Sequence, residues 1–226
     1  MVDLIYILHE NAASRHLTLK GDLHKYLIKV RRHTEGDELS LRNKGDIKTL
    51  HRYKITNVDG RSLDLELISS KIEELQATKE LHIAWCVIDS KSIEKVLPTL
   101  CEIGVSKISF IYCDRSQKNF KLDFKRFERI VEASMQQSGR TSFMKFDTYK
   151  NIAAFISEFS DTKVFDFSDN ILSGDSDFKR VLIGCEGGFS KDEKELLKAQ
   201  EVFRLNTPMV LRSESAVIAV ASKILL

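Results

Sequence analysis

The residues with the clearest chemical potential form a glycine-rich turn, CEGG at residues 185–188, inside the stretch VLIGCEGGFSKDE. The apolar residues before the turn predict a short buried strand, and Ser190 followed by Glu193 predicts a capped helix after it. Glycines between a strand and a helix let a ligand approach the backbone N–H groups, and Glu186 adds a carboxylate. The turn is therefore a candidate ligand site, although a purely structural turn is an equally good interpretation of this segment alone.

A second candidate motif, TPMVLRSESA at residues 207–216, lies between a predicted strand and the last predicted helix. Ser213 is a candidate cap of that helix, and Glu214 in its first turn suits the helix dipole. Arg212 is then either a functional cation or an ordinary surface residue. Two such motifs at strand ends of one α/β domain are expected to meet in one crevice. The glycine turn has neither the residue spacing of a P-loop nor the GxGxxG spacing of a dinucleotide-binding turn.

The composition is that of an ordinary folded protein. The chain has 226 residues, of which 42% are hydrophobic and 30% charged, and its net charge of +2 does not by itself indicate nucleic acid. The four cysteines lack CxxC spacing and the six histidines lack ligand spacing, so no metal site is predicted. The start, MVDLIYILHE, is unlike a signal peptide, and Ser222 and Lys223 interrupt the longest apolar run. We therefore expect no membrane span and a reducing, cytoplasmic location.

Positive charge is concentrated near the N-terminus. The window contains a single acid, Asp22, among six cations. These are Arg15, Lys20, Lys25, Lys29, Arg31 and Arg32. Such a patch can bind phosphates, but a solvated protein face is the usual interpretation of any one charge run.

The pattern of the chain changes near residue 75. Before it, short alternating segments with turn residues predict a small barrel or sandwich with one helix over 22–31, followed by a linker over 70–79. After it, strands and helices alternate, which predicts an α/β domain with a mostly parallel sheet. The predicted strands are 39–41, 51–58, 62–68, 81–88, 107–112, 163–167, 180–184 and 202–205. The predicted helices of the second part are 92–103, with Pro98 marking a kink or a late start, and 123–138, 152–159, 191–199 and 215–225.

Six segments in the same order resemble the RsmE family of 16S rRNA uridine-N3 methyltransferases, in the SPOUT superfamily. They are KYLIKVRRHTEGDEL, EKVLPTLCEIGV, DRS at 114–116, EASMQQSGR, IGCEGGFSKDE and VLRSESA. The chain departs from the family pattern at Cys185, where proline is usual, and at Thr207 and Met209, where glycine and arginine are usual. Tyr26 and Arg31 also differ, standing where the family usually has histidine and leucine.

The resemblance implies a fold in two parts. Residues 1–72 would form a PUA-like β-barrel that binds RNA, which agrees with the basic window. Residues 73–226 would form the SPOUT domain, a mostly parallel sheet with helices and a C-terminal trefoil knot that binds S-adenosyl-L-methionine. Contacts to this cofactor are implied for Phe167, Ile183, Gly184, Glu186, Gly187, Gly188, Phe189, Leu205, Thr207, Val210, Leu211, Ser213 and Glu214.

The resemblance also implies roles in methyl transfer to N3 of a decoding-region uridine in the small ribosomal subunit. Arg212 would stabilise the uracil oxygens, and Glu186 would accept the N3 proton or order the knot loop, the second role being favoured. Such enzymes are homodimers. RNA contacts are predicted for Arg15, Lys25, Lys29, Arg31, Arg32, Arg115 and Arg140, the last two alternatively pairing with Glu132 across the dimer. Two alternatives remain open: a ribosome-assembly or RNA-binding protein without activity, and a SPOUT enzyme acting on tRNA.

Overall fold

The alternating segments at the N-terminus form a mixed sheet. The computed structural model describes residues 5–116, 121–173 and 176–226, and its contacts divide the chain into two units. The first unit comprises residues up to 75 together with 136–142. Its five strands follow the order β1-β3-β4-β5-β2, in which β1 and β3 are parallel and the other pairs antiparallel. The strands are β1 Ile7–Leu8, β2 His16–Lys20, β3 Glu38–Asn43, β4 Asp46–Val58 and β5 Ser62–Ile72.

The sheet of the first unit is curled into a half-barrel around its apolar face. In the LDLEL segment of β5, Leu63 and Leu65 are fully buried, whereas Asp64 and Glu66 point away from the core, as the period of two requires. The strand register shifts between Leu41 and Asn43 and at two places along β4. Such bulges bend a strand and increase its twist, which curls the sheet.

The helix predicted over residues 22–31 is present in altered form. An α-helical turn, α1 (Gly21–Lys25), continues as a π-helical turn over Tyr26–Val30. The N–H of Arg31 accordingly donates to the carbonyl of Tyr26 at 3.0 Å, five residues back. A regular helical pattern of side chains does not reveal this widening, because it arises from how the turn packs on the sheet.

The second unit contains the parallel sheet that the alternating pattern predicts, so that prediction is confirmed. Residues 76–135 and 143–226 form this unit, and all five strand pairs of its sheet are parallel. The strand order is β11-β9-β10-β6-β7-β8. The strands are β6 His82–Cys86, β7 Lys107–Ile111, β8 Lys145–Tyr149, β9 Lys163–Phe165, β10 Arg180–Ile183 and β11 Val202–Phe203. The helices are α2 Ser90–Ile103, α3 Phe124–Ser138, α4 Ile152–Glu158, α5 Lys191–Leu196 and α6 Ser213–Leu225.

Several predicted boundaries are corrected. α2 begins at Ser90, where Asp89 caps it, so Pro98 lies inside the helix and a late start is excluded. β5 extends to Ile72, into the predicted linker. β8 was not predicted, because this edge strand is only half-buried and lacks a clear apolar alternation. No helix in the described ranges is long and apolar enough to cross a membrane.

His82 makes the stability of the second unit sensitive to acid. Arg180 Nε donates to its Nδ1 at 3.1 Å, so the ring is neutral and its Nε2 donates to Ser109 Oγ at 2.7 Å. Burial, followed by the charges of Lys107 and Arg180, lowers the pKa of His82 from 6.5 to about 4. Between these two values the unfolded chain binds the additional proton, so stability falls as the pH drops from 6.5 to 4.

The expected loss across this pH interval is about 3 kcal/mol in the free energy of unfolding. Denaturant unfolding of the wild type and of His82→Gln at pH 7, 5.5 and 4 measures it. The variant is expected to show a flatter dependence, whereas His16→Gln, at an exposed position on β2, should follow the wild type. Equal pH dependence in wild type and His82→Gln would contradict this account.

Candidate active site

The strand register brings three chain segments to one edge of the parallel sheet. Ile183 of β10 lies beside Phe165 of β9, and Phe165 lies beside Phe203 of β11. The next residues along these strands, Gly184, Asp166 and Arg204, therefore leave the sheet together at its carboxyl edge. This is where ligands bind in open α/β sheets.

A cavity of about 620 Å³ lies at this edge. Its lining comes from the ends of β9, β10 and β11, the glycine turn, the segment 205–212, the start of α6, helix α5 and Arg115. The predicted cofactor residues on this lining are Phe167, Ile183, Gly184, Glu186, Gly187, Gly188, Phe189, Leu205, Thr207, Val210, Leu211 and Ser213. Glu214 does not line the cavity and lies in the first turn of α6. The two sequence motifs thus meet in one crevice.

The glycine turn has a left-handed residue at Gly188 and packs against the Arg115 side chain at Gly187. Gly188 has a φ of +64°, a left-handed conformation, and its N–H donates to the Cys185 carbonyl at 2.9 Å. A Cβ on Gly184 would lie 3.4 Å from the Gly188 Cα, and one on Gly187 would lie 3.2 Å from the Arg115 side chain. Since α5 follows with a complete capping box between Ser190 and Glu193, the strand–turn–helix prediction is confirmed.

Ser213 has a different role from the predicted helix cap. It is the first residue of α6, whose N-cap position is Arg212, so the capping prediction is wrong. The Ser213 hydroxyl accepts a hydrogen bond from the indole N–H of Trp85 at 2.8 Å and donates to the Gly184 carbonyl at 2.6 Å. Ser213 and the Trp85 ring are buried, so this hydroxyl joins β6, the start of the glycine turn and α6.

Arg212 and Glu186 both line the cavity with exposed side chains. Within the described ranges, the Arg212 guanidinium pairs with neither Glu186 nor Glu214. The Glu186 carboxylate likewise accepts no hydrogen bond from the described residues, which counts against the favoured prediction that it orders the turn. Both charged groups are therefore available to a ligand in the cavity.

The other cations on the lining are held by protein partners to different degrees. Lys194 pairs with Asp166 at 2.8 Å, and Arg204 Nη1 donates to the Leu205 carbonyl at 3.1 Å. Arg115, predicted to bind RNA, donates through Nη1 to the Gly187 carbonyl at 2.5 Å. The lining residues that sequence reasoning missed are Phe165, Asp166, Lys191, Lys194, Arg204 and Ala216. Asp166 and Arg204 could have been found, because they lie near the carboxyl ends of the strands predicted over 163–167 and 202–205, and parallel strands present these ends at one sheet edge.

Cys185 is a buried thiol that is not activated as a nucleophile. Its Sγ lies 3.6 Å from Cys113 Sγ, and both residues are buried. The hydrogen bond with Cys113, together with burial, raises the pKa of Cys185. Burial also raises the pKa of Cys86. Both thiols are therefore protonated, and neither is suited to attack a substrate.

The predicted RNA-binding residues of the first unit differ in exposure. Arg15, Lys29 and Arg32 are exposed, whereas Lys25, also exposed, pairs with Asp22 at 3.0 Å. Arg31 is half-buried, and its Nε donates to the Tyr26 hydroxyl at 2.7 Å.

Arg140 is buried, with Nε donating to the Ser142 carbonyl at 2.7 Å. Its backbone carbonyl accepts from the Tyr6 hydroxyl at 2.6 Å. This inward placement counts against the predicted contacts of Arg140 with RNA and across a dimer, and it indicates a structural role within the first unit.

The lining combines the groups that a nucleoside-containing ligand needs. The volume falls within the range of about 300–1,000 Å³ typical of small-molecule sites. Phe167, Met209 and Val210 are exposed by 72% or more although they are apolar, and they offer apolar contact to a base. Carboxylates at Glu186 and Asp166 suit an ammonium group, and closely packed glycines let a ligand reach the backbone.

Comparison with known proteins supports this description. The RNA methyltransferase domain family matches residues 75–225. The chain is 35% identical over 221 residues to ribosomal RNA small subunit methyltransferase E of Helicobacter pylori, covering 96% of this chain and 97% of that protein. Such identity over nearly the full length of both proteins shows common family membership.

Solved structures show the same fold. A putative methyltransferase from Legionella pneumophila with bound S-adenosylmethionine has a TM-score of 0.77 at 21% identity, covering 98% of this chain and 96% of its own. Ribosomal RNA small subunit methyltransferase E from Neisseria gonorrhoeae, also bound to S-adenosylmethionine, has a TM-score of 0.73 at 18% identity, with 96% and 95% coverage. The predicted SPOUT-type fold is confirmed. The chain belongs to the ribosomal RNA small subunit methyltransferase E family of RNA methyltransferases.

Proposed function

We propose that this enzyme transfers a methyl group from S-adenosyl-L-methionine to N3 of a decoding-region uridine in 16S rRNA of the small ribosomal subunit. The observation that carries the proposal is the single cavity in which the glycine turn, the segment 205–212 and the exposed Arg212 meet. Membership of the family, with 35% identity to a relative of that name, supports the same reaction.

The residues present fit S-adenosylmethionine. Bound there, it supplies an electrophilic methyl group on a sulfonium. The apolar side chains of Phe167, Val210 and Leu211 are suited to the adenine ring, and the backbone around Leu205 to its polar edge. The glycines of the turn leave room for the methionine part. The residues proposed to hold the cofactor all lie on the cavity lining: Phe167, Ile183, Gly184, Glu186, Gly187, Gly188, Phe189, Leu205, Thr207, Val210, Leu211 and Ser213.

The chemistry required of the protein is modest. Uridine N3–H is a weak acid, so the enzyme must position N3 toward the donor, remove its proton and stabilise the charge that develops on O2 and O4. Arg212 is proposed to donate to these oxygens, because its exposed guanidinium lines the cavity. Glu186 is proposed to accept the proton, directly or through water, because its carboxylate is exposed on the same lining.

The RNA is proposed to contact the basic patch of the first unit through exposed cations such as Lys29 and Arg32. A target base inside a stack must leave it to reach a cavity of this kind. A homodimer is proposed as well, because Phe167, Met209 and Val210 expose apolar area that a second subunit can cover. A cytoplasmic location follows from the proposed substrate.

Methyl transfer from labelled S-adenosylmethionine to small subunits lacking the modification, followed by nucleoside mass spectrometry, tests the proposal. N3-methyluridine is expected with subunits and not with tRNA. Transfer to tRNA would assign a different substrate, and donor binding without transfer to any RNA would indicate a binding protein.

Charge removal at Lys29 and Arg32 should weaken subunit binding and reduce its dependence on salt.

A further inference from the structure

The loop that follows β7 is attached to the glycine turn at several points. This loop, Cys113–Ser116, precedes the turn by about seventy residues in the chain, yet Cys113 Sγ contacts Cys185 Sγ at 3.6 Å. Arg115 Nη1 donates to the Gly187 carbonyl at 2.5 Å. The Ser190 hydroxyl donates to Asp114 Oδ2, also at 2.5 Å. The loop and the turn therefore have little freedom to move independently.

Glu193 occupies the centre of this attachment. It is only 9% exposed, and each of its carboxylate oxygens accepts a different backbone N–H. Oε2 accepts from Ser190 at 2.8 Å, which completes the capping box of α5. Oε1 accepts from Asp114 at 2.8 Å, which joins α5 to the loop. Hydrogen bonds from backbone N–H groups to a buried carboxylate are strong, because the acceptor is charged.

We propose that Glu193 is a positioning residue that fixes the Cys113–Ser116 loop against the glycine turn and thereby holds the Arg115 guanidinium on the cavity wall for contact with substrate RNA. The proposal rests on the methyltransferase function proposed above. A capping box uses only one oxygen of this carboxylate, here Oε2, which accepts from the Ser190 N–H. The additional bond to Asp114 connects separate elements, and Arg115 is the next residue after that donor.

The geometry also indicates what Arg115 contributes. Its aliphatic part lies against Gly187, where an added Cβ would approach within 3.2 Å, and its guanidinium is exposed on the cavity lining. One donor, Nη1, is used by the Gly187 carbonyl. A guanidinium has five N–H donors in a planar fork, so a phosphate or base oxygen can be bound by the others.

A double-mutant cycle between Glu193 and Arg115 tests this proposal. The variants are Glu193→Ala, Arg115→Ala and the double variant, with Glu195→Ala as the matched control, since Glu195 is an exposed acid of the same helix. The measurements are the Kd for S-adenosylmethionine by calorimetry without RNA, kcat and KM for small subunits, and the melting temperature.

Glu193→Ala is expected to raise KM for subunits about tenfold with kcat changed less than about threefold. In the Arg115→Ala background, the same substitution is expected to change KM less than about twofold, because its effect acts through Arg115. The control should match the wild type in all measurements. An equal effect of Glu193→Ala in both backgrounds would overturn the proposal and assign Glu193 a capping role only.

Two further measurements keep the test decisive. If Glu193→Ala does not fold, Glu193→Gln replaces it, because the amide keeps one acceptor oxygen and must release one of the two N–H groups. Hydrogen exchange is expected to accelerate at least about tenfold at the Asp114 amide in Glu193→Ala, and at either the Asp114 or the Ser190 amide in Glu193→Gln. Unchanged exchange at both amides would contradict the proposed attachment. Failure of the proposed function and failure of this proposal give different results. If the function fails, the wild type neither binds S-adenosylmethionine nor transfers a methyl group. If only the role of Glu193 fails, the wild type is active and the effects of the two substitutions on KM are additive.

Discussion

Replacement of Arg212 by alanine is expected to lower kcat for methyl transfer about 100-fold while changing the Kd for S-adenosylmethionine less than about twofold. The physical reason is that negative charge develops on the uracil oxygens only as the N3 proton leaves. A guanidinium that donates to those oxygens therefore stabilises the transition state more than the ground state. The side chain is exposed on the cavity wall and is not neutralised by Glu186 or Glu214 among the described residues.

Single-turnover methylation of small subunits, with donor binding measured separately by calorimetry, checks this expectation. Arg212→Lys should recover part of the rate, because it keeps the charge and loses the planar fork. Lys191→Ala is the matched control, since Lys191 is another exposed cation of the lining, and it should retain most of the activity. A similar rate loss in Arg212→Ala and Lys191→Ala would show that the overall positive charge of the cavity matters, and would remove the specific role of Arg212.

Replacement of Ser213 by alanine is expected to lower the free energy of unfolding by about 2–4 kcal/mol and to weaken donor binding. The hydroxyl satisfies two groups in a buried site, the Trp85 indole N–H and the Gly184 carbonyl. Alanine leaves a buried donor without its partner, and each such group costs about 1–3 kcal/mol. Because Gly184 opens the glycine turn, loss of this bond also loosens the cavity wall.

Denaturant unfolding of Ser213→Ala and of the exposed-site control Ser215→Ala measures the difference. Ser215→Ala should stay within about 0.5 kcal/mol of the wild type. Combining Ser213→Ala with Trp85→Phe should cost less than the sum of the single changes, since phenylalanine removes the unpaired donor. Additive costs would show that the indole N–H does not depend on Ser213.

The features that could be predicted from the sequence are local in origin. The alternation in LDLEL, the strand–turn–helix around CEGG and the capping box from Ser190 to Glu193 depend on neighbouring residues, and the structure shows all three. The meeting of the two motifs followed from a general rule, that parallel strands present their carboxyl ends at one edge. The same rule would also have predicted Asp166 and Arg204 at this edge, although the sequence analysis did not name them.

Other features depend on contacts between residues far apart in the chain, and local patterns do not contain them. The π-helical turn over Tyr26–Val30, the burial of Arg140 and the half-buried strand β8 follow from how these segments pack. Ser213 looks like a helix cap in sequence, because serine before a helix usually caps it. Trp85, 128 residues away, and Gly184 instead bind its hydroxyl.

The sequence by itself determined the fold class, the family and the motifs that form the cavity, because these are recorded in residue periodicity and in short segments. Only the tertiary structure decided the partners of individual side chains. It assigned Ser213 to Trp85, Arg115 to the Gly187 carbonyl and Glu193 to the Asp114 amide. The physical reason is that a hydrogen bond depends on distance and direction within a few tenths of an ångström, and folding alone brings such distant groups together.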